Sequence, residues 1–198
     1  MHKLYKLQRV FLPYIIAVFC LLATCSVMGQ GLYDHSFRDI NNKEVRLGDF
    51  AGKKILFMIL PVNPADSLIV QLKGFVAAYG NRVQVIGVLS QEDGASQATK
   101  AAINARYGNT GILLTDVLYS RKGGGQSPVM KWLTSKEENG HFDMDVKGSG
   151  HKFFINGQGK LYAVLGSNSS LLSPFVQKVM NASESGVQPV PVKDSLKS

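Results

Sequence analysis

The sequence predicts one α/β domain: an α/β/α sandwich around a mixed central sheet, with a β-hairpin ahead of it. Three observations lead there. Residues 54–60 (KILFMIL) and 82–89 (RVQVIGVL) are apolar runs of strand length, the pattern of strands buried on both faces. Between them, apolar residues recur at helical spacing, and strand–helix alternation of this kind implies parallel pairing. A second hairpin signal near the C-terminus adds antiparallel strands to the same sheet.

The elements follow in order. Residues 32–37 and 44–47 flank the turn-prone pair Asn41-Asn42 and read as the N-terminal hairpin. A polar turn or single helical turn at 48–53 enters the first buried strand. Residues 61–67 break the pattern, and Leu68, Ile69, Leu72, Phe75, Val76 and Tyr79 then form one face of an amphipathic helix. Asp66 or Ser67 is its expected N-cap and Gly80 its stop. After the strand at 82–89, Ala98, Ala101, Ala102 and Ala105 mark a second helix with a small-residue face, closed by Gly108. Residues 111–117 are a third strand. The Gly-rich stretch 122–125 lacks the spacing and the Lys-Ser/Thr ending of a phosphate loop and reads as a flexible connector. A short helix at 128–134 carries Trp132 as a packing residue. Residues 137–149 read as a polar loop. Strands at 151–155 and 161–165 surround the turn pair Asn156-Gly157, and Ser173-Pro174 opens a last helix with Phe175, Val176, Val179 and Met180 as its apolar face.

The termini read differently. Lys3, Lys6 and Arg9 precede an apolar run at 11–23 that is short for a membrane span, so residues 1–29 read as a signal peptide of bacterial type. Cleavage near Gly29 is the favoured reading. Lipidation at Cys25, which would tether the chain to a membrane, and an uncleaved anchor stand as alternatives. Residues 30–182 are then the folded domain, and 183–198, with Pro189 and Pro191 and no apolar period, a disordered tail. The expected location is the periplasm or cell envelope. Cleavage removes three basic residues and no acid, leaving 19 basic against 14 acidic residues, a charge of +5. These charges are scattered and not interleaved with aromatics, so nucleic-acid binding is not expected.

Both cysteines, Cys20 and Cys25, lie in the signal segment. A processed chain therefore has no disulfide framework, no thiolate zinc site and no cysteine nucleophile.

Residues 32–182 resemble the glutathione peroxidases of the thioredoxin-like superfamily. The opening strand (LYDHSF), the entry at 44–53, the helix motif Gln71-Leu72-Lys73-Gly74-Phe75, Pro128-Val129-Met130-Lys131-Trp132-Leu133 and Lys152-Phe153-Phe154-Ile155 all resemble that family's motifs in the same order. The resemblance implies a thioredoxin-like sandwich and a peroxidatic cysteine at the N-terminus of the first long helix, where Asp66 stands here. The family's glutamine falls at Gln91 or Glu92, and its Trp-Asn pair at Gly148-Ser149. The resemblance thus implies a degenerate site. A carboxylate cannot replace the thiolate, because peroxide reduction needs a soft nucleophile that is recycled from sulfenic acid.

The expectation is an exported domain without thiol peroxidase activity, without a cofactor, that binds a protein or a small molecule in the envelope. The alternatives are an active oxidoreductase of the oxidative-stress response working by a route without cysteine, or a hydrolytic or metal-dependent activity. For the latter, Asp66, Glu92 and His151 are expected to converge on one pocket, since a His–carboxylate pair can do acid–base work. His141, Asp143 and Asp145 alternate in a way that would place them on one face of an extended segment, as weak metal candidates against a solvated polar loop.

Overall fold

A computed structural model describes residues 30–182; the signal-peptide and tail readings lie outside the described residues. Strands β3 (Lys54–Leu60), β4 (Val83–Ser90) and β5 (Leu113–Leu118) run parallel, while β6 (Lys152–Ile155) and β7 (Leu161–Leu165) are antiparallel additions, in the order β5-β4-β3-β6-β7. A separate hairpin pairs β1 (Ser36–Arg38) with β2 (Glu44–Arg46). Among the described residues there are five α-helices, α1 (Asp66–Tyr79), α2 (Lys100–Tyr107), α3 (Pro128–Thr134), α4 (Lys136–Asn139) and α5 (Pro174–Asn181), and three short 3₁₀ turns at Leu32–Asp34, Leu47–Phe50 and Ala95–Gln97.

The sheet separates two cores by strand alternation. Leu56, Met58 and Leu60 of β3 point to the face covered by α1, α2 and α5, where Leu72, Phe75, Ile103, Tyr107, Val176 and Val179 meet them. Ile55, Phe57 and Ile59 point the other way, to α3 and the N-terminal segment. In β6, Phe154 belongs to the first core, and Phe153 and Ile155 to the second.

Several local expectations need correction. Residues 32–34 are a 3₁₀ turn, not strand, because Asp34 curls the chain by accepting from Gly31 N at 2.9 Å. The hairpin turn does use Asn42, whose φ is +66°, with Asp39 Oδ1 accepting from Asn41 N and Lys43 N. The N-cap of α1 is Ala65, not Asp66 or Ser67: its carbonyl accepts from Leu68 N and Ile69 N, and no side chain caps. The loop before it is anchored by tertiary contacts instead, with Tyr107 Oη donating to Pro61 O at 2.6 Å. In α2 the alanines at 101, 102 and 105 are exposed, while Ile103 and Tyr107 bury the face, since large side chains gain more from burial. Thr99 caps that helix through Ala102 N. Phe175 is 40% exposed and stands off the apolar face of α5. Within the supposed loop 137–149, α4 forms because the buried Asn139 organises it: Nδ2 donates to Trp132 O and Phe142 O, and Oδ1 accepts from His141 N and Phe142 N. Trp132 is buried in the second core.

Candidate ligand-binding cleft

At the C-terminal end of β3, a solvent-open cleft of about 330 Å³ lies between α1, the start of β6 and the loop after β7. Met58, Pro61 and Leu68 give it apolar walls; Gln71, Ser149, Lys152 and residues 167–170 give it polar ones. Lys152 faces it because β6 pairs Lys152 with Met58 and Leu165, both on the α1 side of the sheet. Its side chain is 1% exposed, and its ammonium donates to Gly150 O at 2.6 Å. No carboxylate pairs with it among the described residues. Burial holds its pKa down at about 8, because desolvation penalises the charged form.

Gln71 is oriented across the cleft. Its Oε1 accepts from Ser170 Oγ at 2.8 Å and Leu171 N at 3.2 Å, tying α1 to the loop after β7. Ser149 at the rim donates to Asp93 Oδ2, and Asp93 pairs with Arg121 at 2.8 Å.

Of the residues singled out in the sequence, Ser149 lines this cleft and the others do not. Asp66 is the exposed first residue of α1. Gln91 donates to Ser96 Oγ. Glu92 joins the ends of β4 and β5, accepting from Ser90 Oγ, Ser120 N and Oγ, and Arg121 N. Burial pushes its pKa up, but these hydrogen bonds outweigh it and hold the carboxyl at about 2, as a clamp. Gly148 has φ +132°. His151 is one residue from Lys152 and so points to the opposite face, stacked on Phe153 at 4.9 Å. Its Nδ1 accepts from Lys147 N, which puts the proton on Nε2, and that atom is buried without a partner. No hydrogen bond or ion pair joins Asp66, Glu92 and His151 among the described residues. Of the metal candidates, Asp143 pairs with Lys122 Nζ, Asp145 accepts from Lys122 N and Val146 N, and His141 is exposed. Among the described residues no group of three His, Asp or Glu side chains is placed to hold a metal.

Burial, with the nearby cations of Lys152 and Lys147, pushes the His151 pKa down to about 4, against the opposing pull of Asp145. The folded state therefore resists a proton that the unfolded chain takes up near 6.5. The neutral ring's contribution is complete above pH 6.5 and is lost as pH falls toward 4. His151→Phe is expected to shrink the stability difference between pH 7 and pH 4.5 by about 2–3 kcal/mol, measured by urea unfolding at both pH values.

Sequence analysis passed over Lys152, because a lysine opening a strand ordinarily reads as solvent-exposed. The available signal was its place two residues before Phe154, on the same face of a strand buried on both sides. A second cavity, of about 440 Å³, borders the Gly-rich connector, and the two lysines lining it, Lys122 and Lys131, are already paired with Asp143 and Glu138.

No protein-family model matches the chain, and no curated protein matches it. Solved structures do. Trgpx in apo form is 19% identical, with 76% of this chain and 93% of that chain covered and a TM-score of 0.57. GPX1 of T. cruzi is 11% identical, with 76% and 97% covered and a TM-score of 0.58. The thioredoxin-like superfamily protein SPOA0173 is 15% identical, with 76% and 97% covered and a TM-score of 0.51. The chain has the thioredoxin-like fold that these proteins share.

Proposed function

We propose that this chain is an exported thioredoxin-fold domain that does not run thiol peroxidase chemistry and serves as a binding module in the cell envelope. The observation that carries this reading is the start of α1. An exposed Asp66 occupies it, and the sequence holds no cysteine after Cys25. A helix N-terminus lowers a thiol's pKa and readies it for attack on peroxide; a carboxylate there has no sulfenic-acid cycle to enter. Glu92 supports the same reading, since its oxygens are engaged in joining β4 to β5. What remains is a polar cleft beside a rigid sheet, which suits binding.

The test is peroxide consumption by the purified processed protein, with glutathione or thioredoxin as reductant. The expected result is no turnover above buffer. Clear turnover would overturn the proposal and call for a mechanism without cysteine, with Asp66→Ala and His151→Ala as the next proteins to measure.

A further inference from the structure

We propose that the Lys152 cleft binds the carboxylate group of a small, singly charged organic acid. This rests on the reading of the domain as a binding module and names the ligand class of its cleft. Four observations point the same way. The Lys152 ammonium has three N–H donors, and one of them is used, on Gly150 O. The cleft is lined by this one lysine and by no Asp, Glu, Arg or His, so its net formal charge is +1. Gln71 has its oxygen committed to Ser170 and Leu171, which leaves both Nε2–H donors without a protein acceptor among the described residues. The charges on neighbouring elements are answered or turned to solvent: Asp93 is paired with Arg121, and Asp66 and Lys73 of α1 are exposed.

A buried cation without a counter-ion is costly, and a ligand anion relieves that cost while taking charge-assisted hydrogen bonds. A single positive charge matches one carboxylate; a phosphate dianion would leave negative charge uncompensated in the same space. The volume of about 330 Å³ is at the low end for ligand pockets and suits an acid of metabolite size. Met58, Leu68 and Leu171 offer apolar contact to its carbon skeleton, and Asn168 and Ser169 offer hydrogen bonds to its substituents.

Isothermal titration calorimetry of the processed full-length product at pH 7 tests this with pyruvate, lactate and benzoate, with neutral lactamide and with inorganic phosphate. At least one of the acids is expected to bind saturably at one site, with its neutral or dianionic counterparts at least about tenfold weaker. Lys152→Met is expected to weaken binding at least about tenfold. Gln71→Glu is a second, independent variant. One carboxylate oxygen can keep the bonds from Ser170 and Leu171, while the added charge neutralises the cleft and is expected to repel the acid with a loss of similar size. Absence of saturable binding by all three acids, equal binding of lactamide, tighter binding of phosphate, or unchanged affinity in either folded variant would overturn the proposal. Binding heat needs no peroxide and no thiol. Peroxide turnover would therefore overturn the proposed function and leave this result intact, and the converse also holds.

Discussion

Lys152→Met is expected to raise the melting temperature of the protein at pH 7 by about 4–8 °C. Lys152 is buried at 1% exposure with no carboxylate partner among the described residues, and its pKa lies at about 8 against an ordinary 10.5. The unfolded chain holds that proton up to higher pH than the folded one does. Stability of the native protein should therefore climb as pH rises from about 8 to 10.5, and the cost of the buried charge is present in full below pH 8. That cost is on the order of 3 kcal/mol, from which about 1 kcal/mol is subtracted for the lost bond to Gly150 O. Methionine is unbranched and one atom shorter, fills irregular space and carries no charge to desolvate. Thermal unfolding between pH 7 and 10.5 checks both parts: the variant should start higher and lose the alkaline rise. A variant that melts below wild type at pH 7 would show that the ammonium is stabilised in the free protein, and with it the argument for an anion-seeking cleft would fall.

Phe57→Ala is expected to cost about 3–5 kcal/mol, a large share of the 5–15 kcal/mol by which domains of this kind are stable. Phe57 sits in the middle of the central strand at 0% exposure, flanked by Ile86 of β4 and Phe153 of β6. Its ring meets Phe37 of the N-terminal hairpin edge-on at 6.5 Å, so the truncation opens a cavity where the hairpin docks on the sheet. The urea midpoint should fall with the slope unchanged. Phe175→Ala is the matched comparison: the same atoms are removed from a side chain that is 40% exposed, and the loss should stay below about 1 kcal/mol. A loss that small for Phe57 as well would show that the hairpin side of the core is loosely packed.

The architecture was legible because its signals are local. The apolar runs of β3 and β4 have the length and composition of strands buried on both faces, and the helical period from Leu68 to Tyr79 needed no tertiary knowledge. Where two local signals competed, the sequence misled. Asp66 and Ser67 are both good caps, yet Ala65 takes the position because the preceding loop is held by Tyr107. The alanines of α2 marked a helix correctly but not its buried face. Asn139 looked like one more polar loop residue until its five hydrogen bonds were in view.

By itself, the sequence determined the order of strands and helices and one chemical exclusion. With both cysteines at or before residue 25, no thiol lies within the folded residues, whatever their arrangement. The tertiary structure decided which side chains share a space. Asp66, Glu92 and His151 were expected together because each ends or borders a core element; in the structure Glu92 is spent on β5 and His151 stacks under the opposite face. Gly87 shows the same dependence: a Cβ there would lie 2.3 Å from Leu60 Cδ1, a crowding that exists only once β3 and β4 are paired. Lys152 and His151 are neighbours in the chain but face opposite cores, and that assignment follows from the pairing of Lys152 with Met58. Alternation along a strand says which residues share a face; which face meets a helix and which meets a cleft is set by register against the neighbouring strand, and register is a property of the folded sheet.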